Sequence, residues 1–91
     1  MYAKGSKKNT VMFRFTGGSK TGKVAVAGDF TDWQPKAMRK GMDGVFSLTL
    51  PVPPGRYEYK FVVDGDWVHD NEVTNVVKNM FGTFNSVLEV K

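Results

Sequence analysis

The side chains able to do chemistry in this chain are few, and most of them are binding groups. His69 is the only histidine, Asp70 follows it, and there is no cysteine. A His-Asp pair can begin a catalytic triad, but no serine sits in a strained glycine-rich elbow and no thiol is present to be activated. One histidine without cysteine leaves a transition-metal site short of ligands. Asp64, Asp66 and Asp70 lie close enough in sequence to attract calcium. They lack the ligand count such a loop needs, and turn chemistry accounts for the first two. Asp29 and Asp32 read as turn and capping residues in preference to an acid–base pair. No glycine-rich phosphate cradle opens a helix. The expectation is a chain with no catalytic residue, no metal and no cofactor.

Binding groups are better represented. Trp33 and Trp67, the only two tryptophans, both fall at turns among Asp, Thr and Gln. Either ring could cap a small core, but aromatic residues on polar loops often carry function, so at least one exposed ring is expected. An exposed ring suits a sugar face, a nucleobase or another protein. A sugar lays its axial C–H groups on the ring and needs donors and acceptors around its edge; Lys60, Asn75, Thr83 and Asn85 could supply them. A nucleic acid wants aromatics interleaved with several Lys or Arg. Here the aromatics sit among Asp29, Asp32, Asp64, Asp66 and Asp70, which repel phosphate. The formal charge is only +4, from 13 basic and 9 acidic residues, and Lys4, Lys7, Lys8 and Lys91 lie at the chain ends. A neutral ligand is therefore expected, with no nucleic acid as partner.

The stretch that must position these groups is Tyr57-Glu58-Tyr59-Lys60-Phe61-Val62-Val63-Asp64-Gly65-Asp66-Trp67. Tyr57, Tyr59, Phe61 and Val63 share one face at period two, and Glu58 and Lys60 share the other. Asp64-Gly65 predicts a two-residue hairpin turn, because such a turn needs positive φ. It delivers Trp67 close to Lys60. Upstream, residues 1–9 read as a flexible lead-in, and Val11, Phe13 and Phe15 mark a first strand. Gly17-Gly18-Ser19-Lys20-Thr21-Gly22 reads as a turn, and residues 23–27 as a strand ended by Gly28. Residues 29–35 form a loop whose Phe30 plugs the core. Residues 36–42 predict a short edge strand or loop. Asp43-Gly44 is a second hairpin-type turn before a strand carrying Phe46, Leu48 and Leu50. Pro51-Val52-Pro53-Pro54-Gly55 is a rigid connection, since proline cannot donate to a ladder. After His69-Asp70-Asn71-Glu72, residues 73–77 predict a strand, 78–83 a loop and 84–90 a closing strand. No helical period of useful length appears. About seven short strands separated by turns predict an all-β, immunoglobulin-like antiparallel sandwich or a small barrel.

The totals agree with one domain. Ninety-one residues, 41% of them hydrophobic and 13% aromatic, suffice for one packed core and not two. The domain is expected over residues 10–91. No apolar run is long enough for a bilayer, and the basic N-terminal stretch leads into no apolar signal core. No membrane partner is expected, and a cytoplasmic chain or an excised module of a larger one is the simplest expectation.

Three segments together carry a family resemblance: Val26-Ala-Gly-Asp-Phe-Thr-Asp-Trp33, Gly55-Arg-Tyr-Glu-Tyr-Lys-Phe-Val-Val-Asp-Gly-Asp-Trp67-Val-His-Asp70, and Phe81-Gly-Thr-Phe-Asn85. In this order, from about Val11 to the end, they resemble the glycogen-binding domains of AMP-activated protein kinase β subunits. More broadly they resemble carbohydrate-binding module family 48 and its early-set immunoglobulin-like relatives, which also occur beside isoamylase, pullulanase and branching-enzyme catalytic domains. The resemblance implies a non-catalytic β-sandwich that binds α-1,4-glucans such as glycogen, starch or maltooligosaccharides. It implies that Trp33 and Trp67 stack on sugar, that Lys60 binds hydroxyls, and that Thr83 and Asn85 hydrogen-bond the glucose units. Phe81 stands where the kinase domains carry a leucine that reaches through a ring-shaped sugar, and Asn71 stands where the family often has proline. Asn75 matches no assigned position. The alternative is an early-set docking domain that packs against a catalytic domain or kinase partner without binding sugar. A single-stranded nucleic-acid binder is the third possibility, and it predicts a steep loss of affinity with salt.

Overall fold

A computed structural model describes residues 1–18 and 20–91; Ser19, in the expected glycine-rich turn, lies outside the described residues. In chain order the strands are β1 (Tyr2–Lys4), β2 (Thr10–Thr16), β3 (Val24–Gly28), β4 (Lys36–Ala37), β5 (Arg39–Lys40), β6 (Val45–Pro51), β7 (Gly55–Val63), β8 (Asp66–Val68), β9 (Val76–Lys78) and β10 (Phe84–Val90). A 3-10 turn, Asp29–Thr31, follows β3. Among the described residues no helix is long and apolar enough to cross a membrane. The strands pair antiparallel in two sheets, β1-β2-β6-β5 and β4-β3-β7-β10-β9, with β8 also on β7. The architecture is the expected all-β sandwich. Among the described residues it has ten strands where about seven were expected, because several two- and three-residue edge pieces also pair.

Side-chain alternation decides which face each strand buries. Val11 and Phe13 of β2, Phe46 of β6, Val24 and Val26 of β3, Tyr59 and Phe61 of β7 and Leu88 of β10 meet between the sheets. The aromatic rings interlock: Phe13 packs on Phe30 with centroids 5.1 Å apart, and Phe15 meets Phe61 edge-on at 5.3 Å. Phe30 thus closes the core from the 3-10 turn, as expected. Tyr59 is fully buried, and its hydroxyl donates to the buried carboxylate of Asp70 at 2.8 Å. Burial first, and the Asp70 charge second, push that hydroxyl well above the ordinary tyrosine range.

The hairpin forms as read. Asp64 and Gly65 take φ of 49° and 90°, and the register pairs Val63 with Asp66 and Val62 with Trp67. The Asp64 carboxylate also accepts the N–H groups of Gly22 and Lys23, at 3.1 and 2.8 Å, which ties the hairpin tip to the start of β3. Asp70 in turn accepts the Tyr59 hydroxyl and the Glu72 N–H, at 2.8 and 3.0 Å, and pairs with the N-terminal ammonium. Among the described residues no cluster of three or more metal-ligating side chains occurs.

Three expectations need correction. Residues 1–9 are not wholly a lead-in: Tyr2–Lys4 pair with β2 in the register Tyr2–Phe13, and the Tyr2 ring meets Tyr59 edge-on at 6.1 Å. Residues 36–42 do lie at a sheet edge, but at two of them, split between the two sheets. Β4 pairs with β3 and β5 pairs with β6, while Met38 between them is buried and donates its N–H to Val24 O. The strand expected at 73–77 lies at Val76–Lys78, where it can pair with Phe84–Ser86 of β10.

One topological detail positions the site. Strand β3 pairs with Tyr59 to Val63 along one edge of β7. On the other edge β10 pairs with Gly55 to Tyr59, and β8 pairs with Phe61 to Val63. Β10 and β8 therefore lie end to end on the same edge, and Lys60 is the residue at which they part.

Candidate functional site

The outer face of the second sheet carries Glu58 and Lys60 of β7, Trp67 of β8 and Asn85 of β10, because cross-strand partners share a face and each of these lies out of phase with the core residues. The 3-10 turn brings Trp33 to the same side. The loop before β10 brings Met80, Phe81 and Thr83. Together they line a cleft of about 740 Å3, within the range of small-ligand sites. Trp33, Lys60, Trp67, Phe81, Thr83 and Asn85 are thus brought together around one cleft. Asn75 is not: it lies outside the cleft, and its carbonyl accepts the Val87 N–H at 2.8 Å.

Each tryptophan is held differently. Trp67 is 46% exposed and rides on the rigid hairpin. Trp33 is partly buried, and its backbone is strained: Asp32 and Trp33 take φ of 54° and 60°. The left-handed region costs an L-residue about 1–2 kcal/mol, so other contacts must hold it. Thr31 Oγ1 bridges the N–H and C=O of Gly28 at 3.1 Å each, and Trp33 N donates to Gly28 O at 2.9 Å. Asp29 completes the hold, accepting the Trp33 indole N–H at 3.0 Å and the Glu58 N–H at 2.8 Å. Asp29 was expected to serve the turn alone; it also fixes the ring relative to β7.

Lys60 and Asn85 are buried for polar residues, 8% and 7% exposed, and both belong to one hydrogen-bonded chain. Arg56 donates to Glu58 Oε2 at 3.3 Å, and Asn85 Nδ2 donates to Glu58 Oε1 at 3.0 Å. Asn79 Nδ2 donates to Asn85 Oδ1 at 3.0 Å and to Thr83 Oγ1 at 2.7 Å, and Lys60 Nζ donates to the same Thr83 oxygen at 2.9 Å. Two incoming bonds occupy both lone pairs of Thr83 Oγ1, so its O–H is free to donate into the cleft. Lys60 keeps two further donors, and Asn85 keeps a second N–H. The cleft therefore offers aromatic surface beside fixed donors, with Asp29 and Glu58 nearby. That combination suits neutral polyhydroxyl ligands and disfavours a phosphate backbone.

Sequence reasoning missed Asn79, Glu58, Asp29 and Met80 as members of this site. Alternation already put Glu58 on the Lys60 face, so that signal was present. Asn79 carried a weaker one, an Asn ahead of a Gly in a loop. Its Oδ1 accepts the N–H groups of Phe81 and Thr83, at 3.0 and 3.2 Å, and so shapes the whole loop. Met80 and Phe81 stand at the tip, 91% and 84% exposed.

Residues 9–91 match the family model described as the glycogen recognition site of AMP-activated protein kinase. Over 80 residues, 88% of this chain, the sequence is 38% identical to the 5'-AMP-activated protein kinase subunit beta-1 of Sus scrofa, covering 62% of that protein. It is 39% identical to subunit beta-1 of Bos taurus and 36% to subunit beta-2 of Mus musculus, covering 28% of each. The chain thus spans less than two thirds of the length of these curated relatives. The match extends across both sheets and every segment that lines the cleft, and the chain belongs to the family of AMP-activated protein kinase glycogen-recognition domains.

Proposed function

We propose that this chain is a non-catalytic module that binds α-1,4-glucans, with Trp33 and Trp67 as stacking platforms. The observation that carries the proposal is the convergence on one cleft of two tryptophans and the linked donors Lys60, Thr83 and Asn85. Glucose units lay their C–H faces on the indoles, and their hydroxyl oxygens accept from the Thr83 hydroxyl, the Lys60 ammonium and the Asn85 amide. Phe81, at the exposed loop tip, adds an apolar contact in place of the family's leucine. A shallow, open face buries few ligand atoms, so affinity for a short oligosaccharide is roughly micromolar to millimolar.

The test is a titration with maltoheptaose or β-cyclodextrin, followed by intrinsic tryptophan fluorescence at low and high salt. A saturable, salt-insensitive change is expected. No change with the protein folded refutes sugar binding.

Docking to a catalytic domain or kinase partner is the alternative. It is favoured by the side-by-side exposure of Met80 and Phe81, and by relatives that are kinase subunits and extend beyond the length of this chain. A partner that protects Met80 and Phe81 from solvent in a chain that does not bind glucan supports it.

A further inference from the structure

A second concavity, of about 430 Å3, opens off the cleft. It exists because β10 and β8 share one edge of β7 and part at Lys60. The residues after β8 and before β10 diverge there and leave a notch through the sheet edge. Lys60, Trp67 and Thr83 line both the cleft and the notch, so the Lys60–Thr83 hydrogen bond, 2.9 Å long, forms the sill between them. Beyond the sill stand Asn71, His69 and Phe84. Asn71 is exposed, and Phe84 is 45% exposed with its ring edge-on to His69 at 6.2 Å. An exposed aromatic flanked by an amide and an imidazole repeats, on a smaller scale, the chemistry of the main cleft.

We infer that the notch is an extension subsite, which takes the glucosyl units that continue past those on the tryptophans. The inference rests on the glucan-binding proposal. A chain lying on Trp67 that crosses the Lys60–Thr83 sill enters the notch directly, where the Asn71 amide and the His69 ring nitrogens meet its hydroxyls. A short oligosaccharide fills the cleft alone, while a longer linear one uses both. The notch therefore sets preference for chain length and leaves basic sugar recognition unaffected.

Calorimetric titration of the 91-residue chain with maltotriose and with maltoheptaose tests this, comparing the native sequence with Asn71→Ala and His69→Ala. Each substitution should weaken maltoheptaose binding by about threefold to tenfold, the size of one or two net hydrogen bonds, and leave maltotriose binding within twofold. The amide resonance of Asn71 should shift with maltoheptaose and not with maltotriose. Equal effects on the two sugars, or none on either, overturn the subsite while native glucan binding still stands. If the native chain binds neither sugar, the functional proposal fails and takes the subsite with it.

Discussion

Replacing Asp29 by alanine should loosen Trp33 while leaving the sandwich folded. The Asp29 carboxylate accepts two hydrogen bonds, from the Trp33 indole and from Glu58 N. Bonds to a charged acceptor contribute about 1.5–3 kcal/mol when well shielded. Asp29 is exposed, so about 0.5–1 kcal/mol each is the appropriate scale. The stability loss is then about 1–2 kcal/mol, or a fall in Tm of about 4–16 °C for a domain of this size. Asp32 and Trp33 both sit in the left-handed region, so the released turn relaxes and the indole swings. Sugar must then re-order the ring on binding, which costs about 0.5–1.5 kcal/mol, a twofold to twelvefold loss of affinity. The assay is a double-mutant cycle: glucan affinity of the native chain, Asp29→Ala, Trp33→Ala and the double variant. If Asp29 acts by holding Trp33, its replacement changes nothing once the ring is gone, and the coupling equals the whole single-variant effect. The same loss in the Trp33→Ala background, or no loss in the native one, refutes the role.

Other perturbations separate fold from site. Trp67→Ala should abolish measurable glucan binding, and circular dichroism and denaturant unfolding should show stability changed by about 1 kcal/mol or less, because the ring is nearly half exposed. Asn79→Ala removes the acceptor for the Phe81 and Thr83 N–H groups and the donor to Thr83 and Asn85; hydrogen exchange should rise in residues 80–83, with glucan affinity down about tenfold. Gly28→Ala should destabilise by about 2 kcal/mol or more by denaturant melt, since an added Cβ would lie 2.5 Å from Glu58 O and 2.8 Å from Tyr59 Cβ. Tyr59 has its folded-state value raised above the ordinary 10.0. Its contribution is therefore complete below about pH 10 and is lost as pH rises beyond that. Tm should fall steeply above pH 10, and Tyr59→Phe, though less stable at neutral pH, should show a shallower alkaline slope.

Where one residue's chemistry dictates its conformation, the chain announced its structure. Asp64-Gly65 can hardly do other than turn, and once it does, period two puts Trp67 on the face of Lys60. The sandwich followed from the same alternation in β2, β6 and β7. Elements specified by distant partners were hidden. Tyr2–Lys4 looks like a solvated basic stretch until Phe13 and Tyr59 are beside it. The start of β9 is fixed by β10, not by the valines at 73, 76 and 77. Met38 reads as a lone apolar residue in a polar segment, and only the packing shows it as the crossing point between sheets. In the site, the tryptophans, Lys60, Thr83 and Asn85 were legible as residue types suited to sugar. Asp29 and Asn79 were not: the second partner of Asp29, Glu58 N, is distant in sequence, and Asn79 meets its near neighbours only in the particular loop conformation that the folded chain adopts.

The loop at residues 79–83 closes on itself. Asn79 N donates to Thr83 O at 2.8 Å, Gly82 N donates to Asn79 O at 3.1 Å, and Gly82 supplies the positive φ of 84°. Its shape is set by its ends, while the side chains at its tip, Met80 and Phe81, are almost wholly exposed. Positions 80 and 81 can therefore change identity at little cost in stability. A lineage can retune what the cleft grips by altering two side chains, without renegotiating the fold that holds them.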